Sequence, residues 1–436
     1  MRIRIDGPLI GSYSLALVNR EMALALEKLN PGSTSLSFRS APGGPDTPLS
    51  GTEHDWLARH PDIACLWRRG QQQDAAGERP DLILFNSWPP LLPTHVFRKT
   101  GNQASPRFAT NAYGWEESRF PDEHVDAFNT HLDMVTVMSR FVAKTLVDNG
   151  VTRPVAVVGL GVDHILRFSP EPVHCRFEKG YRFLHVSSCF PRKGLDILLA
   201  AYGRAFSADD DVSLLVKTFP NPHNDVEQQV EAFRRRHDNP PSIILVNEDQ
   251  SPGALVYLYR NCHCLVAPSR GEGFGLPMAE AMLLGLPVIT TAYGGQSDFC
   301  TKETAELIDY EITPAVSHLN PFGSLWAEPS VDHLARLMRR RYEMKENGTT
   351  AAGKLIAEQL TWDAAARRLL AAVSDNSAPD WRYGVPGPGV EQPSRRRVAL
   401  VSSWNARCGI AEYSRQLLSH LLDWCDVTVL APRGAE

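Results

Sequence analysis

The chain has 436 residues, 43% hydrophobic and 22% charged, with a formal net charge of −5. That length supports two or three domains with their own cores, and the acidic balance argues against a general nucleic-acid binder. Eight cysteines without a CxxC pair argue against a disulfide framework and for a reducing setting. No run is apolar for long enough to act as a signal peptide or membrane span. The expected place is the cytoplasm, with peripheral contact at the inner face of the plasma membrane left open.

In chain order, RIRIDGPL reads as a strand, followed by a turn at Gly11–Ser14 and a helix over SLALVNREMALALEKL. DLILFN (81–86), RFATNAY (107–113) and DMVTVM (133–138) are further strands. SRFVAKTLVDNG (139–150) is a helix ending on glycine, and PVAVVGLGVD closes this half. A second series opens with YRFLHVSS (181–188) and the helix KGLDILLAAYGRAF. Strands at 211–217, 241–247 and 263–269 follow, interleaved with helices at 224–237 and 253–260. A helix from Leu276, the strand LPVITT and helical patterns at 331–346 and 362–373 complete it.

Strands alternating with helices predict an α/β protein with parallel sheets, built as two Rossmann-like domains at 1–160 and 161–361. The proline- and glycine-rich stretch 376–396 reads as a linker. Beyond it, RVALVSSW, EYSRQLLSHLL and CDVTVLAP repeat the opening strand, helix, strand order, with Tyr413–Ser414 where Tyr13–Ser14 stood. Residues 397–436 are therefore expected to open another Rossmann-like domain, with a further C-terminal part in the full-length protein.

Several features read as structural. Arg234–Arg236 and Arg339–Arg341 lie on helical patterns and are expected on solvated faces. Cys262 and Cys264 flank His263 on a strand entering the core, which favours buried thiols over a metal site. Asp209–Asp211 reads as a solvated loop.

The chemistry concentrates in PSRGEGFGLPMAEAMLLGLPVITT (268–291). Gly271, Gly273 and Gly275 let a backbone approach a ligand and free its N–H groups, and Pro277 suits the first turn of the helix that follows. Such a helix start takes an anion, suited to a diphosphate. Glu280, inside the helix, suits a vicinal diol, the way Rossmann proteins grip ribose. Glu272 lies beyond the phosphates, where a sugar comes next. Amides for phosphate, flanked by carboxylates for hydroxyls, describe a nucleotide-sugar.

The stretch resembles the E-x7-E signature of retaining, GT-B-fold glycosyltransferases of the family 4 type. FPRKGLDILLAAY (190–202) is similar to that family's basic Lys-Gly stretch, and VVGLGVD (157–163) to its interdomain segment. TWDAAARRLLAAV resembles its closing helix, which implies that 362–375 crosses back to the N-terminal domain. The resemblance spans roughly residues 1–375 and implies that Glu280 binds ribose, that Glu272 contacts the donor sugar, and that Lys193, with Arg192, neutralises the leaving diphosphate.

Donor contacts are further expected from Gly273, Phe274, Gly275, Gly11, Ser188, Lys217 and Asn247. Contacts to the sugar or acceptor are expected from Glu116, His95, Ser139 and Gly295. The family's arginine after the first strand of this domain is replaced by Ser187, Ser188 and Cys189, so either Arg192 or Lys217 substitutes for it or the phosphate grip is weaker. The implied activity is transfer of a hexosyl group, with GDP-mannose the first guess, to a saccharide or lipid-linked saccharide in bacterial surface polysaccharide assembly. No cofactor, metal or nucleic acid is expected. The alternatives are a non-catalytic sugar-nucleotide or glycan-binding module scaffolding a second transferase domain, and a GT-B-fold epimerase.

Overall fold

A computed structural model describes residues 1–11, 13–29, 35–39, 51–58, 60–75, 79–86, 107–177, 179–317, 323–345, 350–374, 396–401, 418 and 425–430. The chain divides into two units, Met1–Arg382 and Tyr383–Glu436.

The first unit begins with β1 (Arg2–Asp6), α1 (Ser14–Leu29), β2 (Ser35–Arg39), α2 (Gly51–Ala58), α3 (Pro61–Ala75) and β3 (Leu82–Phe85). β4 (Arg107–Thr110), α4 (Asp122–His131), β5 (Val135–Val137), α5 (Arg140–Asp148) and β6 (Val155–Val157) follow. β1 to β4 form a parallel sheet in the order β2-β1-β3-β4. Parallel bridges Ala109–Met134 and Tyr113–Val137 lead on to the β5-β6 pair. The central strand β3 (LILF) is buried throughout and reads as a continuous apolar run, whereas β1 (RIRID) and the edge strand β2 (SLSFR) alternate.

After the 3-10 turn Asp163–Arg167 the second half opens with β7 (Tyr181–Val186), α6 (Leu195–Ala205), β8 (Val212–Thr218), α7 (Val226–Arg236) and β9 (Ser242–Asn247). It continues with α8 (Pro252–Asn261), β10 (Cys264–Ala267), α9 (Leu276–Leu283), β11 (Val288–Thr291), β12 (Glu306–Ile308) and the antiparallel pair β13 (Tyr310–Pro314) and β14 (Leu325–Pro329). Three helices, α10 (Val331–Met344), α11 (Thr350–Gln359) and α12 (Trp362–Ser374), close the unit. The sheet order β12-β11-β10-β7-β8-β9 is the classical doubly-wound order, with its switch point between β7 and β10.

Lys28 of α1 pairs with Asp363 at 2.6 Å, and Arg368 Nε donates to the Val158 carbonyl at 2.6 Å. One apolar core runs from Ile5 and Leu26 through Val158, Leu160 and Val162 to Leu265 and Met282. In the second unit, β15 (Arg396–Val401) and β16 (Cys425–Leu430) pair in parallel, which requires a crossover connection between them.

The solvated face expected at Arg339–Arg341 forms only in part, with Arg340 exposed. Arg341 is buried with an ion pair to Glu306 at 2.9 Å, and Arg339 pairs with Asp210 at 2.6 Å over the Tyr342 ring. The reason is that α10 covers the edge of the second sheet, where Glu306 begins β12. Asp210 is thus tied down rather than free in a loop, and Asp211 accepts the Gly180 N–H at 2.8 Å. Cys262 and Cys264 are buried, and the His263 Nδ1 accepts the Arg182 N–H at 3.1 Å. Among the described residues no group of three or more His, Cys, Asp or Glu is placed to hold a metal ion.

Candidate functional site

Ligands of doubly-wound sheets sit outside the carboxyl ends of the strands at the switch point. Here that point lies between the loop after β7, Ser187–Gly194, and the loop after β10, Pro268–Gly275. Each loop ends on a left-handed glycine that turns the chain into its helix: Gly194 at φ +69° and Gly275 at φ +96°. A side chain at Gly194 would also strike the Pro268 carbonyl at 2.1 Å, so the two loops are in contact.

Arg270 joins them. Its guanidinium donates to both carboxylate oxygens of Glu328 (2.6 and 2.7 Å), both of Asp196 (2.9 and 2.8 Å) and the Pro191 carbonyl (2.7 Å). Its backbone N–H reaches the Arg192 carbonyl at 2.7 Å. Two carboxylates hold its pKa above the usual range against the opposing effect of burial. Sequence reasoning passed over Arg270, although it stands inside the motif.

Behind this joint lies a cluster of charges. Lys193, the last residue of a 3-10 turn before α6 rather than in the helix itself, donates to Glu272 Oε1 at 2.6 Å. Ser269 Oγ donates to the same oxygen at 2.7 Å. Arg192 lies 3.7 Å from Glu272 Oε2 and donates to Glu116 Oε1 at 2.9 Å. Burial by itself raises the pKa of Glu272, but Lys193, Arg192 and the two hydrogen bonds outweigh it and hold the pKa below the usual value. The pKa of Lys193 is lowered too, by burial and then by Arg192, against the pull of Glu272. Lys193 and Arg192 thus face two carboxylates, Glu272 and Glu116, in one cluster.

Lys217, at the end of β8, is buried, lies 5.8 Å from the Phe219 ring centroid and makes no ion pair with the described residues. Burial lowers its pKa. The replaced-arginine stretch takes an unusual form. His185 Nδ1 donates to the Val266 carbonyl (2.8 Å), so its Nε2 accepts the Ser187 hydroxyl (2.8 Å), and Cys189 turns the chain at φ +52°. Ser188 uses its carbonyl to hold Asn221 at 3.0 Å. Asn247 is tied through its side chain to Asn224 (3.2 Å) and Glu227 (3.1 Å).

Glu280 is buried on α9 and accepts the Tyr259 hydroxyl at 2.9 Å, with His164 Nε2 3.4 Å away. Phe274 offers no side chain to a ligand. Its ring is buried against Phe299 with centroids 5.3 Å apart, because the motif places an apolar residue under α9.

The first domain meets these loops directly. Glu116 reaches Arg192, as above. Ser139, expected on the acceptor side, is fully buried: it caps α5 through Val142 N–H (3.2 Å) and donates to the Gly273 carbonyl (2.6 Å). Arg140 binds Asp298 through its backbone N–H and Nε, both at 2.9 Å. Gly295 packs so closely that a Cβ would lie 2.0 Å from the Gly273 carbonyl. Gly11, at φ +115°, gives its carbonyl to Arg20 at 2.7 Å in the first βα loop. His95 lies outside the described residues.

Residues 171–311 match the family described as "Glycosyl transferases group 1". Among solved structures, a sucrose-phosphate synthase from Thermosynechococcus elongatus aligns with a TM-score of 0.62 at 16% identity, covering 86% of this chain and 98% of that one. The lipopolysaccharide outer core galactosyltransferase WaaB aligns at 0.57 and 16%, covering 86% and 99%. The fold is GT-B. The group 1 glycosyl transferase match falls in its second half and includes the loop Pro268–Gly275. A D-inositol 3-phosphate glycosyltransferase of Thermomonospora curvata is 30% identical over 44% of this chain and 42% of that protein. A capsular polysaccharide biosynthesis glycosyltransferase of Staphylococcus aureus is 25% identical over 33% and 39%. The matches span less than half the length of these curated relatives. No described helix is long and apolar enough to cross a membrane.

Proposed function

We propose that the chain is a retaining glycosyltransferase that moves a hexosyl group from a nucleoside diphosphate sugar to a saccharide hydroxyl. The observation that carries this is the pair of largely buried cations, Lys193 and Arg192, held by Glu272 and Glu116 with Lys217 at the end of the neighbouring strand, at the switch point of a GT-B fold. The diphosphate would lie over the start of α9, with Lys193, Arg192 and Lys217 meeting its charge without a divalent ion. Glu272 would take sugar hydroxyls and Glu280 the ribose.

The acceptor oxygen attacks the anomeric carbon on the face from which the diphosphate leaves. As the anomeric carbon–oxygen bond breaks, the departing phosphate oxygen takes the acceptor's proton. The protein contributes positioning and charge stabilisation rather than a nucleophile. Relatives named for lipopolysaccharide and capsule assembly support a surface-polysaccharide acceptor, free or lipid-linked at the inner membrane face. GDP-mannose stays the first donor to try, beside the UDP-glucose seen with the neighbour HepE.

One observation favours a second reading, a binding module without turnover: Glu116 already neutralises Arg192 from the other domain. Calorimetric titration with GDP, UDP, dTDP and ADP, without metal, tests the donor site. Binding of one diphosphate that is lost in Glu280→Ala is the expected result, and binding of none defeats the proposal. Donor turnover with a saccharide acceptor then separates enzyme from module.

A further inference from the structure

Glu280 and Glu272 belong to one motif, but their surroundings differ in kind. No cation pairs with Glu280. Each of its oxygens faces one polar group from a different part of the chain: the Tyr259 hydroxyl on Oε2 at 2.9 Å and His164 Nε2 by Oε1 at 3.4 Å. His164 belongs to the 3-10 turn between the two domains. Its other nitrogen, Nδ1, accepts the indole N–H of Trp362 at 3.2 Å. A ring that accepts at Nδ1 carries its proton on Nε2, the nitrogen that lies 3.4 Å from the carboxylate. Trp362, His164 and Tyr259 are all buried.

The place of Trp362 is itself closely specified. Its backbone N–H donates to Asp163 Oδ1 at 2.8 Å, and Val162 N–H to the Leu360 carbonyl at 2.9 Å. A Cβ on Gly161 would lie 2.1 Å from the Trp362 nitrogen. From Trp362, α12 runs onto the first domain through Asp363 and Arg368. A chain of buried polar contacts thus leads from the crossing helix, through the interdomain turn, to the one carboxylate placed for a diol.

We infer that Trp362, His164 and Tyr259 are positioning residues that orient the Glu280 carboxylate for a nucleotide's ribose, so that the crossing helix sets the preference for ribose over deoxyribose. The inference rests on the nucleotide-sugar reading above. Orientation of this kind has a particular advantage. A hydroxyl donor on one oxygen and a neutral imidazole beside the other hold the group without cancelling its charge, and each oxygen keeps a lone pair for a ribose hydroxyl. A cation in the same place would compete with the diol. A site built to accept from a hydroxyl rejects the analogue lacking it, because the acceptor is then left buried and unpaired.

The test is a ratio of affinities. GDP, UDP and ADP, each beside its 2′-deoxy form, are titrated by calorimetry into the full chain and into Trp362→Phe, His164→Leu, His164→Gln and Tyr259→Phe. Wild type should bind one ribonucleotide about ten-fold or more tighter than its deoxy form. In Trp362→Phe, which keeps a ring and removes the N–H, and in Tyr259→Phe and His164→Leu, that ratio should fall several-fold, with the deoxy affinity within about two-fold of wild type. His164→Gln, which restores an N–H donor, should recover part of it. A ratio unchanged in the variants, or ribo and deoxy affinities falling together, overturns the relay while leaving the donor site standing. Wild type that binds no nucleotide at all defeats the nucleotide-sugar reading, and this inference with it.

Discussion

The loop after β10 and the helix α9 that follows it hold one glutamate each, and the two are kept in opposite ways. Glu272 in the loop is gripped by charge: Lys193 at 2.6 Å, Arg192 at 3.7 Å and a serine hydroxyl. Glu280 in the helix is held by a tyrosine and a histidine with no cation in contact. The first arrangement neutralises its carboxylate among cations that, on the proposed reading, would meet a phosphate. The second keeps its charge, which on the same reading would serve hydroxyls. Spacing in a motif, then, does not assign like roles. Surroundings do.

The sharpest way to break this comparison is Glu272→Ala. It leaves Lys193 buried without its carboxylate, which should lower stability by about 3–5 kcal/mol. Turnover with a sugar-nucleotide should fall roughly 10²- to 10³-fold. Denaturant melts and initial rates check both, and a variant with wild-type stability would show that the charge pairing is ornamental.

Acid should strike the loop before the helix. His185 sits behind the Lys193–Glu272 pair, and burial, with a smaller effect of Lys193, pushes its pKa down to about 4. Above pH 6.5 neither the folded nor the unfolded state protonates it. Between 6.5 and about 4 the unfolded chain takes up a proton that the fold refuses, so stability falls as the pH drops through that window. The loss should approach about 3 kcal/mol by pH 4, and His185→Gln should flatten that limb of a stability-against-pH curve.

Glu280→Gln should do less to the fold and more to the ligand. Melting should change by under about 1 kcal/mol, while affinity for a ribonucleoside diphosphate drops about ten-fold in calorimetry. The smallest effect is expected at Glu116. Removing it as Glu116→Ala frees Arg192, and inorganic pyrophosphate or a nucleoside diphosphate should then bind about two- to five-fold tighter. Weaker binding would mean that Glu116 positions Arg192 instead of occupying it.

The alternation of strands and helices, and the loop-and-helix stretch that carries the glutamates, were legible in the sequence because both are local patterns. The sheet order was not, since nothing within YRFLHVSS says that it lies between β8 and β10. The β13–β14 pair escaped notice because YEITPAVSHLNPFGSLWAEP is broken by proline and glycine, which read as loop. Phe274 came with the motif and proved to be a core side chain. Tyr259, His164 and Trp362 had no signal at all: they come from α8, the interdomain turn and α12, and only folding brings them to Glu280. His185 was equally silent, a histidine inside a strand whose role depends on a carbonyl of the neighbouring one. The match between Tyr13–Ser14 and Tyr413–Ser414 was legible, but those residues of the second copy lie outside the described ones.

Gly271 and Gly273 touch the first domain through their Cα faces. A Cβ on Gly271 would lie 2.3 Å from the Glu116 carbonyl, and one on Gly273 would lie 3.2 Å from the Trp115 backbone. Backbone cannot step aside as a side chain can, so what one loop forbids is decided by a loop in the other half of the chain. Any lineage that places a side chain at Gly271 must first remodel the stretch around Glu116. The two halves are bound to inherit their changes together.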